Sequence, residues 1–308
     1  MDIKPKSSHL IEAQTGGYVL DRFSYSPTAS QLYQAGRRLM LYSGYDEAFG
    51  ILKHESRQGR SEEAHDSYLQ YLRQKSPAER DYIQQKANMF KVYEHEFKPY
   101  MGNSCMGPEG RVSKRRSLLG EGMFSKVYSL ELNGQKYAVR YPWADVMPEI
   151  DNKISAALLV KDLGCIEQIV AASYSDNLTV SEFVPGRPTS LIETAHIEEI
   201  PQESFDNLYR DLLLAEERGV GFDGISDNLL YDTESSKFTM VDISLANNKI
   251  GAGRSSAWKA MYDSIRGIGE QGSKSRVSMA EKLIESMCRF KPGDTLAIER
   301  VEGIIRRG

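Results

Sequence analysis

Cysteine is scarce in this 308-residue chain: Cys105, Cys165 and Cys288 stand far apart and are odd in number. They form neither a disulfide framework nor a CxxC metal pair, which assigns the folded protein to a reducing compartment. No apolar run approaches the ~20 residues that a membrane helix needs, so no membrane span is expected. The opening Met1-Asp2-Ile3-Lys4-Pro5-Lys6-Ser7-Ser8 lacks the apolar core of a cleaved secretory signal. Export by a route that uses no cleaved signal stays open. A strong charge imbalance is missing too: the net charge of −4 and pI near 5.9 give no general pull toward nucleic acid or anionic membrane. What is present is ordinary globular composition, 40% apolar and 27% charged, over a length that suits one large domain or two average ones.

Along the chain the patterning changes twice. Residues 1–26 are polar and rich in Ser, Gly and Lys, and read as a flexible segment compatible with a secretion signal. Residues 27–98 read as a helical accessory domain. Its clearest helix starts at Ser76-Pro77-Ala78-Glu79, a capping box with Pro at the first helical position. Ile83, Ala87, Phe90 and Phe97 then share a face, and Tyr68, Leu69 and Leu72 form the stripe of the preceding helix. Gly102, Gly107, Pro108 and Gly110 interrupt the pattern, and residues 99–117 read as a linker that ends in the basic cluster Lys114-Arg115-Arg116.

Beyond the linker, alternation predicts strands over 118–121, 125–132, 136–141, 166–174 and 178–184. Helices are expected over 148–163 and 201–218, the second closed by Gly219, and again over 255–267, 278–289 and 295–306. Strands followed by a mostly helical half predict an α+β, two-lobed arrangement, with one lobe at 118–186 and a reduced second lobe at 187–308.

Two constellations carry chemistry. Leu119-Gly120-Glu121-Gly122-Met123-Phe124-Ser125-Lys126-Val127 matches G-x-G-x-x-[G/S]-x-V, in which glycines let backbone N–H groups approach phosphates. Gly120, Gly122 and Ser125 are candidate phosphate contacts and Val127 a candidate adenine contact. Tyr137-Ala138-Val139-Arg140 follows at the V-A-I-K position, with Ala138 and Arg140 on one strand face. Arg140 stands where kinases carry Lys, and Arg is longer and forked. A working kinase adapted to Arg, a nucleotide-binding pseudokinase and an inactivating substitution all fit that residue. Glu149, early in the next helix, is either its ion-pair partner or a first-turn Glu favoured by the helix dipole.

The second constellation runs from Gly219 to Ser244. Asp223 precedes Asn228 by five residues, and Asp242 follows in Val241-Asp242-Ile243-Ser244. That order is the one in which kinase-like folds place a catalytic base (Asp223) and two Mg²⁺ ligands (Asn228 and Asp242). Turn-forming Asp and Asn would explain any single member, but not all three at these intervals.

The departures form a pattern of their own. Gly221-Phe222 replaces His-Arg before the base, Ile225 and Ser226 replace the usual Lys and Pro, and Asp242-Ile243-Ser244 replaces Asp-Phe-Gly. With Asn228-Leu229-Leu230-Tyr231-Asp232 and Glu182-Phe183-Val184-Pro185-Gly186, residues 118–250 resemble the small bacterial type III effector kinases of the OspG/NleH group. The resemblance implies a minimal protein-kinase-like fold with ATP and Mg²⁺ as ligands, and with Glu182 and Val184 at the nucleotide hinge. It also implies Ser/Thr phosphorylation, often autophosphorylation, of host signalling proteins after secretion into the host cytoplasm; residence in the bacterial cytoplasm is the alternative. Some members bind ubiquitin or a ubiquitin-conjugating enzyme. No Ala-Pro-Glu motif follows Asp242, so a usual activation segment is not expected. A pseudokinase scaffold, and a transferase with a non-protein acceptor or one that moves AMP, remain the competing readings.

Overall fold

The computed structural model describes residues 73–101, 116–121, 125–142, 147–173, 176–192, 197–245, 256–268 and 273–307. The expected flexible segment 1–26, the stripe Tyr68, Leu69 and Leu72, the pair Lys114-Arg115, Gly122 and Cys105 lie outside them, as does the side chain of Glu149.

The described chain is α+β. Helix α1 (Pro77–Val92) begins at the capping box expected from sequence: the Glu79 carboxylate accepts from the Ser76 N–H at 2.8 Å, and Ser76 Oγ accepts from the Glu79 N–H at 3.4 Å. One π-helical turn (Tyr93–Phe97) and a last turn, α2 (Lys98–Met101), extend the same rod. Then come β1 (Arg116–Glu121), β2 (Ser125–Leu132) and β3 (Gln135–Pro142), followed by α3 (Met147–Val160), β4 (Ile169–Ser173) and β5 (Leu178–Glu182). These strands form one five-stranded antiparallel sheet in the order β1-β2-β3-β5-β4.

The sheet has two unlike faces because strand side chains alternate. Leu130, Leu132, Val139, Leu178 and Val180 point to one face and are buried by Tyr93, Phe97 and Met101 of the rod. Phe97 meets Tyr137 edge-on at 4.9 Å between ring centroids, the arrangement that the aromatic quadrupole favours. Ser125, Val127, Ala138, Arg140 and Ser181 belong to the other face by their register across β2, β3 and β5. One face therefore packs against the rod, and the other carries Ser125 and Arg140.

The rod does more than cover the sheet. Tyr82, Ile83 and Met89 of α1 enter the large core that also holds Ile150, Ile154, Phe205, Leu212, Phe222 and Leu283. The sequence sets residues 27–98 apart as an accessory domain. Of that span, residues 73–98 are described, and their apolar face joins the main cores instead of closing on itself, because the sheet and α3 supply the surface it needs.

The remaining chain is β6 (Arg187–Pro188), α4 (Gln202–Glu217), β7 (Val220–Phe222), β8 (Leu229–Asp232), β9 (Lys237–Met240) and β10 (Ile243–Leu245). Three helices follow: α5 (Ala257–Arg266), α6 (Ser273–Phe290) and α7 (Thr295–Ile305). Gly219, at φ +80°, closes α4 as expected and turns the chain into β7. Two small antiparallel sheets result, β10 with β7 and β6-β8-β9. No helix among the described residues is long and apolar enough to cross a membrane.

Candidate functional site

The site is built on two short backbone devices. In the first, β7 pairs with β10 so that Phe222 faces Ile243. Asp223 therefore leaves one end of this ribbon just where Asp242 enters it. In the second, β8 and β9 pair Leu229 with Met240, and the Val241 N–H donates to the Asn228 carbonyl at 2.9 Å. Asn228 ends a single 3₁₀ turn (Ser226–Asn228), and its Nδ2 donates to the Asp223 carbonyl at 3.2 Å. That bond assigns the amide: with its nitrogen committed to Asp223, Asn228 keeps Oδ1 as an acceptor for a cation. Asp223, Asn228 and Asp242 are thus gathered at one place, as their spacing predicts.

Asp242 has a left-handed backbone, φ +61°. Asp tolerates this region better than most residues, at a cost of about 1 kcal/mol or more, and such positions cluster at functional sites. Two interactions hold it there. The Asp242 N–H donates to Glu167 Oε2 at 2.9 Å, and Glu167 Oε1 accepts from Ser181 Oγ of β5 at 2.7 Å. Glu167 reaches this point because Met240 pairs with Ile166 in a parallel bridge: the Met240 N–H donates to the Cys165 carbonyl, and the Glu167 N–H donates to the Met240 carbonyl, each at 2.9 Å. A buried carboxylate thereby couples the five-stranded sheet to the backbone of Asp242.

The Asp242 carboxylate is held from two sides. Arg140 Nη1 lies 3.4 Å from Oδ2 and also donates to Ser125 Oγ at 3.1 Å. Lys153 of α3 pairs with Oδ1. The side chains are 13% exposed for Arg140, 3% for Lys153 and 20% for Asp242. The acid thus sits at the wet edge, with one cation buried behind it.

The other expected residues take the following positions. Val127 is the cross-strand partner of Arg140, and Ala138 lies opposite Ser181. Gly120 pairs with Val127 beside a register irregularity in β1, and a Cβ built on it meets nothing within 4 Å. Glu182 ends β5 opposite Tyr137 and is exposed, with Val184 half-buried just beyond. Burial pushes the Tyr137 phenol above its usual value, and the charges of Glu96 and Glu182 add to the effect. Glu149 lies in the first turn of α3, but its side chain is outside the described residues.

Two members of the site are absent from the expectations drawn from sequence: Lys153 and Glu167. Lys153 has a signal in hindsight. It sits on α3 among Ile150, Ile154 and Ala157, so a cation falls on an apolar helix surface, and a buried cation requires a partner. Glu167 and Gln168 likewise interrupt the apolar run from Cys165 to Val170, and Glu167 is buried. Neither signal names the partner.

No protein-family model matches the chain, and no curated protein matches it either.

Proposed function

We propose that this protein is a phosphotransferase of the two-lobed protein-kinase-like type, using ATP and Mg²⁺ to phosphorylate a Ser or Thr hydroxyl of a protein. The observation that carries the reading is the meeting at Asp242 of Arg140 from the sheet with the turn that holds Asp223 and Asn228. The strand order β1-β2-β3-β5-β4, with α3 between β3 and β4 and the helical half behind it, agrees with that architecture.

The donor set suits the ligands. The Asn228 Oδ1 and the Asp242 carboxylate are hard oxygen donors, and Mg²⁺ is typically bound by one or two carboxylates together with phosphates. Arg140 and Lys153 supply positive charge at the same point. Gly120 has no packing reason to lack a side chain, and glycine within a strand often marks close approach by a ligand. When bound, Mg²⁺ neutralises charge that develops on the transferred group. Asp223 orients the acceptor hydroxyl and takes its proton, and Asn228 fixes Asp223 through its carbonyl. Ser125 and Gly120 border the phosphate side, and Val127 and Ala138 offer an apolar floor on the open face of the sheet.

The test is label transfer from γ-labelled ATP with Mg²⁺ to the protein itself and to candidate protein substrates. Incorporation above that of Asp223→Ala and Asp242→Ala controls supports the reading, and label no higher than theirs sinks it. One observation favours a second reading, nucleotide binding without transfer: two cations already neutralise Asp242, and one is an Arg where Lys is usual. Thermal stabilisation by ATP without label transfer would select that reading. The effector role in a host cell and the ubiquitin-related partner belong to the same proposal and rest on the family resemblance alone.

A further inference from the structure

We propose that Lys153 of α3 is the phosphate-contacting cation of this site, and that Arg140, on the strand where a lysine is usual, is a brace. The inference rests on the phosphoryl-transfer reading above. Arg140 Nη1 contacts Ser125 Oγ and the Asp242 carboxylate at once. It thereby ties the strand leaving the glycine-rich turn to the metal-binding position. One nitrogen makes both contacts, and the long Arg side chain carries it from the strand to the carboxylate.

Lys153 is the more deeply buried of the two cations, 3% exposed against 13%. Among the described residues its one acceptor is Asp242. An ammonium carries three N–H donors, so two stay unmatched in a nearly dry setting. Unmatched buried donors are costly, which a purely structural lysine would not explain. Phosphate oxygens are strong acceptors of the kind those donors need. The compact, mobile charge of Lys also suits that task better than a guanidinium already engaged with Ser125 and Asp242. A lysine on the helix, an arginine on the strand and a shared carboxylate divide between two residues what one strand lysine usually does.

The experiment is calorimetric titration with ATP in EDTA and, separately, with adenosine, which lacks phosphates. It uses the full chain, Lys153→Met, Asp242→Asn and the double variant. Lys153→Met is expected to weaken ATP binding roughly tenfold or more, the weight of one charge-assisted contact, with adenosine binding unchanged. The same loss is expected when Lys153→Met is added to Asp242→Asn. Equal ATP affinity with and without Lys153 overturns the inference. So does a loss that vanishes in the Asp242→Asn background, because Lys153 would then be only the counter-ion of Asp242. Should Lys153→Met alone lose adenosine as well, its fold is damaged. The double variant against Asp242→Asn then decides, since both charges of the pair are gone. A native chain that binds neither ligand overturns the phosphotransferase reading and this inference with it. Native binding with an indifferent Lys153→Met overturns this inference only.

Discussion

The two sides of the site are assembled by different means. On the base side, Asp223 and Asn228 are five residues apart and are joined through a main-chain carbonyl. On the cation side, Arg140 and Lys153 reach Asp242 from 102 and 89 residues away. The first geometry is set within one turn and its flanking strands. The second exists only once the sheet, α3 and β10 have come together. Truncating a side chain on the cation side should therefore cost fold as well as chemistry, and truncating one on the base side mainly chemistry.

Asp242 belongs to both sides and carries the largest expected effect. Asp242→Ala should bring label transfer to background and also destabilise the protein by about 3 kcal/mol, because it leaves Lys153 buried without its carboxylate. Asp223→Ala should abolish transfer equally with a smaller loss of stability, since the Asn228 bond to the Asp223 backbone carbonyl survives the substitution. Urea unfolding of both variants checks the contrast. Equal stability losses would remove the distinction between the two sides.

The same distinction explains what the sequence discloses. The strands over 125–132 and 136–141, the capping box at Ser76 and the close of α4 at Gly219 are all local, and each is found where its pattern places it. The Asp223–Asn228–Asp242 set is legible because short turns and ladders convert spacing into position. Lys153 and Glu167 are not, since nothing within several residues of either specifies Asp242. Their partner is chosen by packing of α3 and by the Met240 bridge, which are properties of the assembled core. The role of α1 is hidden for the same reason. Its apolar face is plain from spacing, but spacing does not say that the sheet is what covers it.

Gly224 offers a sharper break on the base side. A Cβ there would lie 2.7 Å from the Ala260 Cα and carbonyl oxygen of α5, which are backbone-fixed atoms. Gly224→Ala should push α5 away from the Asp223 turn at a cost of about 1–3 kcal/mol, with a fall in transfer greater than the stability loss explains. Gly120→Ala is the matched control, because a Cβ at Gly120 meets nothing within 4 Å. It should leave the urea midpoint within about 0.5 kcal/mol of native while weakening ATP binding. A destabilised Gly120→Ala would return that glycine to an ordinary structural role.

Ser125→Ala tests the brace. It removes the 3.1 Å hydrogen bond to Arg140 without touching Asp242. About 0.5–1.5 kcal/mol of stability should be lost, and the affinity for ATP should fall more than that for adenosine. Ser125→Thr, which keeps the hydroxyl, should recover most of both. Failure of the threonine to recover either would mean that the hydroxyl is not what links β2 to the site.

The smallest effect concerns the clamp that joins the two sides. Arg218, at the end of α4 just before β7, donates to Asp162 Oδ1 at 2.5 Å, to Asp162 Oδ2 at 3.0 Å and to the Leu159 carbonyl of α3 at 2.9 Å. The helix that carries Lys153 is thus tied to the strand that leads to Asp223. The Arg218 hydrogen bond holds the Asp162 carboxyl below its ordinary value of 3.8, while partial burial opposes the shift. Because the folded value is depressed, the stabilisation is present above the unfolded value. It is lost as pH falls through the folded one. The Asp162 side chain is 53% exposed, so solvent screening keeps the contribution well under ~1 kcal/mol. Urea midpoints should therefore place Asp162→Asn slightly below native at pH 7, with the gap closing as the pH drops below the ordinary carboxylate range. A gap that persists there would mean that the Asp162 side chain stabilises the fold by something other than its charge.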